Sequence, residues 1–129
     1  ALDVWMFPLE KKELAGLACK KPLLALDSDG FRWADNVNEK RDVVAKWPRA
    51  RTAVMHKTMH QNFSDFPVFN PYVLRRLKMA GDMDPVDALR QIADVVLRFV
   101  DVTTSKDSAA ANDWPSQMGT WPSAITLEP

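Results

Sequence analysis

The stretch Pro22–Gly30, "PLLALDSDG", decides how the chain is read. Leu23 to Asp27 is an almost wholly apolar run, and the "DSDG" that closes it favours a turn through its Asp, Ser and Gly. Such a run suits a strand buried on both faces, as in a parallel sheet. Just downstream, Asp35 can cap a helix that places Val37, Val44 and Trp47 on one side, until Pro48 stops it. Arg51 to Met55, short and containing Thr52 and Val54, then reads as another strand. Strand, helix, strand is a βαβ unit. It predicts an α/β architecture with a mainly parallel sheet.

Upstream of that unit, in "ALDVWMFPLEKK" at Ala1–Lys12, Ala1 to Trp5 reads as the end of a strand running into a loop, since Pro8 soon removes a backbone donor. No initiator Met and no basic region precede its apolar residues, so it is not a signal peptide. It reads as a chain entered partway through a strand. Downstream, Pro71 to Met79 carries Val73, Leu74 and Leu77 on one side of a helix that can start at Pro71. Asp84 is a natural N-cap with Pro85 at the first helical position, and Leu89, Ile92, Ala93, Val96 and Val100 recur at helical spacing behind it. From Thr103 the periodicity dissolves into small polar residues and prolines, and composition predicts a disordered tail over 103–129 in which Trp114 and Trp121 could dock.

The 129 residues, 47% of them apolar, suffice for one hydrophobic core. Seventeen basic residues balance seventeen acidic ones, and no basic run is present, which argues against nucleic acid as a partner. Cys19 is the only cysteine, so no internal disulfide or multi-cysteine zinc knuckle can form. The apolar runs are far too short for a transmembrane segment.

Both histidines lie in "HKTMHQNFSDF", His56–Phe66, four residues apart. A zinc-protease reading requires H-E-x-x-H on a helix, but Lys57 stands where the Glu should be and a short strand precedes the stretch. The alternative makes His60 a general base. It follows a predicted strand, Asp3 ends another, and in a parallel sheet both would reach the carboxyl edge where open α/β sheets place their sites. Asp3 would orient the imidazole, and His60 would take a serine's proton and return it to the leaving group. Spacing by itself is weak, since an Asp and a His this far apart occur by chance in most chains, and it favours a surface Asp and a loop His.

The residues around these positions carry more. "ALDVWMFPLE" at Ala1–Glu10, "HQNFSDF" at His60–Phe66 and "LKMAGDMD" at Leu77–Asp84 resemble the platelet-activating factor acetylhydrolase family, the lipoprotein-associated phospholipase A2 group of serine esterases. The resemblance covers residues 1–102 and implies the late strands and C-terminal helices of an α/β-hydrolase fold. It implies hydrolysis of the sn-2 acetyl, short or oxidised acyl group of platelet-activating factor and related phospholipids, with no cofactor and no calcium. It matches Asp3 and His60 to the triad Asp and His, Trp5 to an aromatic of the acyl pocket, and Gln61 and Phe66 to positions near the catalytic His. It matches Pro71–Met79 to an element that touches lipid or lipoprotein surfaces, here through Val73, Leu74 and Leu77. The family has secreted and cytosolic branches.

A serine esterase also needs its nucleophile on a G-x-S-x-G elbow. The four glycines, at 16, 30, 81 and 119, flank no serine in that pattern. The family places the elbow on the strand before the one ending near Ala1, so the resemblance implies that the chain is a carboxyl-terminal portion, inactive alone. Two other readings share the residues: a non-catalytic lipid-binding or interaction module, and a family hydrolase acting on a different ester.

Overall fold

The computed structural model describes residues 1–3, 21–105 and 113–128. Its centre is a three-stranded sheet, β1 (Leu23–Ser28), β2 (Ala50–Met55) and β3 (Ile125–Leu127), in the order β1-β2-β3. β1 and β2 are parallel in a register that runs from Leu23 opposite Ala50 to Ser28 opposite Met55. Helix α1 (Ala34–Val44) crosses between them, as the apolar run and the helix pattern require. Ala1–Asp3 extends the parallel arrangement on the outer side of β1. Leu26 N donates to Ala1 O at 2.9 Å and Asp3 N to Leu26 O at 2.9 Å, around a Leu2–Leu26 bridge. The architecture is mixed α/β.

Five of the six residues of β1 are buried, in keeping with a strand covered on both faces. Leu24 and Leu26 of β1 share one face with Ala53 and Met55 of β2 and Ile125 of β3. Helix α4 (Pro85–Thr104) covers that face. Asp84 caps it, accepting from Val86 N at 2.9 Å and Asp87 N at 3.1 Å. Its buried stripe is Ala88, Ile92 and Val95, with Val96, Phe99 and Val102 packed beside it. The sequence pattern placed the stripe on Leu89, Ile92, Ala93, Val96 and Val100. Ala93 and Val100 are exposed instead, and fully buried Ala88 faces the sheet in their place.

α1 departs from expectation in the same way. Trp33, not Asp35, is its N-cap residue, and the face turned inward carries Asn36, Lys40 and Val43 rather than Val37, Val44 and Trp47. Lys40 Nζ lies 2.5 Å from Asp27 Oδ1, both side chains being buried. A buried strand carboxylate needs a counter-charge, and that need sets the rotation of α1. Burial holds the Asp27 carboxyl above its ordinary range, against the pull of Lys40.

The expected disordered tail is the largest difference. Residues 113–128 are folded: helix α5 (Trp114–Gln117) seats Trp114 in the core, and β3 pairs antiparallel with β2. Trp114 Nε1 donates to Arg49 O at 2.9 Å, and its ring meets Phe99 edge to face at 5.0 Å. One buried indole and one strand of a ladder supply the ordering energy that averaged composition hides.

Between β2 and α4 lie a 3-10 turn (His60–Phe63) and two short helices, α2 (Phe66–Phe69) and α3 (Pro71–Arg76). α3 ends at Arg76, short of the expected Met79. Asn70 caps it, accepting from Val73 N at 3.3 Å.

Candidate active site

Three segments end at the carboxyl edge of the parallel strands and bring Asp3, Ser28 and His60 together. Asp3 follows the Leu2–Leu26 bridge and adopts φ 44°, a left-handed conformation that Asp tolerates better than most residues. Its side chain is buried against the end of β1. Ser28 N donates to Oδ1 at 2.5 Å and Ser28 Oγ to Oδ2 at 2.7 Å. His60 Nδ1 lies 3.1 Å from the same Oδ2.

A carboxylate can only accept, so Nδ1 carries a proton in this contact and neutral His60 leaves Nε2 bare. The His60 side chain is 54% exposed, and among the described residues none hydrogen-bonds Nε2. The ring stacks on Phe31, with centroids 4.5 Å apart and planes 20° apart, and Phe31 meets Trp33 edge to face. One imidazole face is covered, one nitrogen is anchored, and the basic nitrogen is open to a reactant. That is the arrangement a general base needs.

The loop bearing His60 is held by its own bonds. Thr58 Oγ1 donates to Met55 O at 2.6 Å, and Gly30 N to Thr58 O at 3.1 Å. Buried Asn62 accepts from Met59 N at 2.8 Å and from Gly81 N at 2.7 Å through the same Oδ1. Gly81 sits so close to the Lys57–Thr58 backbone that a Cβ would collide with the Lys57 carbonyl.

The two histidines separate. His56 Nδ1 lies 3.1 Å from Asp29 Oδ1 and its Nε2 2.9 Å from Thr126 Oγ1. Each imidazole thus has its own carboxylate, and they share no site. Among the described residues no group of three or more His, Cys, Asp or Glu side chains could hold a metal ion.

Of the other sequence candidates, Gln61 follows His60 in the 3-10 turn, half-buried, its carbonyl accepting from Ser64 N at 3.1 Å and Ser64 Oγ at 2.8 Å. Phe66 opens α2 with its ring exposed. Trp5 lies outside the described residues. Val73 and Leu77 are exposed and Leu74 is half-buried. No described helix is long and apolar enough to cross a membrane.

Sequence reasoning missed Ser28, Phe31, Asn62 and Gly81. Ser28 and Phe31 stand in "DSDGF", directly after the strand that was recognised, and the signal available was their position at a carboxyl strand end. Asn62 and Gly81 stand inside the "HQNFSDF" and "LKMAGDMD" stretches, but their roles depend on loop contacts that the motifs do not spell out.

Comparison with known proteins places the chain in a family. The chain is 27% identical, over 139 aligned residues, to a protein of Schizosaccharomyces pombe (strain 972) named "Putative phospholipase A2". The match takes in 92% of this chain and 32% of that protein, so the chain spans about a third of the length of the curated relative it matches. The model of the family described as "Platelet-activating factor acetylhydrolase, isoform II" matches residues 1–120, which includes Asp3, His60 and the helices that follow. With that match running through nearly all of its length, the chain belongs to the platelet-activating factor acetylhydrolase isoform II family.

Proposed function

We propose that the chain carries the acid–base half of a serine esterase acting on phospholipids, in the late strands and C-terminal helices of an α/β-hydrolase fold. The observation that carries this reading is the 3.1 Å contact of His60 Nδ1 with buried Asp3, at the carboxyl edge of parallel strands, with Nε2 open. Family membership supports the class of reaction, and the order Asp then His along the chain fits the triad order of such hydrolases.

In this reading a serine from outside these 129 residues attacks the ester carbonyl while His60 Nε2 takes its hydroxyl proton. The imidazolium keeps its Nδ1 proton against Asp3 and passes the Nε2 proton to the departing lysophospholipid oxygen. Water then attacks the acyl-serine by the same route, releasing the acid. The substrate favoured is the sn-2 acetyl, short or oxidised acyl group of platelet-activating factor and related phospholipids. Trp5, Gln61 and Phe66 would line its acyl side, with neither calcium nor another cofactor in the cycle.

The test is a form of the protein extended toward its amino terminus. It is expected to contain a G-x-S-x-G, to react with a fluorophosphonate, and to release acetate from platelet-activating factor. His60→Ala should abolish both reactions, and a variant that still turns over a short-chain ester would refute His60 as the base. The exposed apolar segment around α2 and α3 favours one other reading, a non-catalytic lipid-binding module. Vesicle binding by extended forms that never label with fluorophosphonate would establish it.

A further inference from the structure

Ser28 is fully buried at the end of β1 and directs both of its donors at one carboxylate. The two bonds reach different oxygens, N to Oδ1 at 2.5 Å and Oγ to Oδ2 at 2.7 Å. Two donors from one rigid residue to two oxygens fix the plane of a carboxylate, as the fork of an arginine does. Among the described residues, His60 makes one bond to Asp3 and its ring is otherwise held by a single stacked face. A half-exposed imidazole so lightly held takes its tautomer from the partner it meets, and neutral imidazole can carry its proton on either nitrogen.

We propose that Ser28 is the positioning residue of the Asp3–His60 pair: it clamps the carboxylate so that Oδ2 faces Nδ1, which keeps the His60 proton on Nδ1 and Nε2 bare. The inference rests on the reading of His60 as general base for its use, but its geometry can be tested without any ester. The backbone donor alone would leave Oδ2 without its second anchor. Rotation about the Asp3 side chain would then compete with the contact to His60.

Nitrogen-15 NMR of the imidazoles in the full chain reads the tautomer directly, and His56, bonded to Asp29 and Thr126, reports in the same spectrum whether the fold is kept. The wild type should show His60 protonated on Nδ1. Ser28→Ala should move its neutral ring substantially toward the Nε2-protonated form while His56 stays unchanged, and Ser28→Thr, which keeps the hydroxyl, should restore Nδ1. A Ser28→Ala spectrum identical to wild type at His60 would overturn the proposal. Should Ser28→Ala disturb His56 as well, Ser28→Thr and Ser28→Cys carry the comparison, since both fill the space and Cys is a weak donor. Nδ1 protonation kept in both would overturn the proposal. In an ester-cleaving form, Ser28→Ala should lower kcat by about tenfold with KM kept, and Ser28→Thr should recover it. Absence of ester cleavage in every form would sink the esterase reading and leave the tautomer result standing.

Discussion

His60 lies flat against Phe31, ring centroids 4.5 Å apart and planes 20° apart, so the imidazole is oriented by a side chain three residues past the end of β1. A stacked ring leaves a magnetic signature. The ring protons of His60 should resonate upfield of those of His56, which is not stacked on any described ring. Phe31→Leu should abolish the difference while keeping an apolar contact of similar volume. Equal His60 shifts in the two proteins would show that the stack is not populated in solution.

This contact explains what was legible and what was not. Asp3 and His60 could be read because a strand end places a side chain at a predictable edge, and because their neighbours resemble known motifs. Ser28 and Phe31 share that edge but were passed over, since "DSDGF" reads as turn chemistry until the register sets Ser28 opposite Met55. Periodicity located α1 and α4 and misjudged which faces they bury. α1 turns Lys40 inward against the buried Asp27, and α4 turns Ala88 onto the sheet. Pairwise contacts of that kind do not appear in a window average.

The Asp27–Lys40 pair sets a pH dependence. Burial holds the Asp27 carboxyl above its ordinary value, so the folded chain binds more protons than the unfolded one between that value and the raised one. The contribution of this group to stability therefore falls as pH rises through that window. Lys40→Met removes the opposing charge, which should raise the Asp27 carboxyl further and cost about 3–5 kcal/mol at neutral pH. Acidification should return much of that loss as Asp27 takes up its proton. Urea unfolding from about pH 4 to 8 measures it, with Asp27→Asn/Lys40→Met as the background that lacks this group's contribution. A Lys40→Met deficit that does not change with pH would contradict the linkage.

Gly81 and Gly30 differ in what surrounds them. A Cβ at Gly81 would strike the Lys57 carbonyl and come within 2.7 Å of Thr58 Cα, both backbone, whereas at Gly30 the nearest described atoms all belong to the flexible Met59 side chain. Gly81→Ala should therefore cost about 1–3 kcal/mol and Gly30→Ala clearly less. Because Gly81 N also donates to Asn62 Oδ1 at 2.7 Å, the loop carrying His60 should loosen with it. Thermal unfolding gives the order, and hydrogen exchange at the Met59 amide reports the loop. The reverse order would mean that the close approach is not maintained.

Trp114 decides whether 113–128 belongs to the body. Its indole is buried among core residues and bonded to Arg49 O, so Trp114→Ala should cost about 3–5 kcal/mol, a large share of the stability of a small domain. Trp114→Phe keeps the apolar bulk and removes one of two hydrogen bonds to Arg49 O, which still accepts from Leu23 N at 3.1 Å, so the loss should be only about 0.5–1.5 kcal/mol. Calorimetry and limited proteolysis near residue 113 should rank wild type, Phe and Ala in that order. Three equal melting temperatures would return the segment to the status that composition assigned it.

The segment from Phe66 to Leu77 is where lipid contact would be made. Phe66, Val68, Phe69, Tyr72, Val73 and Leu77 are all exposed there, Phe69 and Tyr72 by more than 70%. Arg76 and Lys78 are exposed beside them, while Arg75 turns back to the carbonyls of Gly81, Asp82 and Met83. Apolar side chains flanked by snorkelling cations suit the boundary of a bilayer better than water. Burying one large apolar side chain is worth about 1.5–3 kcal/mol, so Phe69→Ser/Tyr72→Ser/Leu77→Ser should weaken partition onto phosphatidylcholine vesicles by at least about tenfold. Because these side chains are exposed, the melting temperature should stay near that of wild type. Flotation with vesicles measures the partition, and the charge arm is separated by adding anionic lipid, which should strengthen binding unless Arg76 and Lys78 are also replaced. Equal flotation of the wild type and the triple variant would remove this segment as a lipid surface, whatever the chemistry at His60.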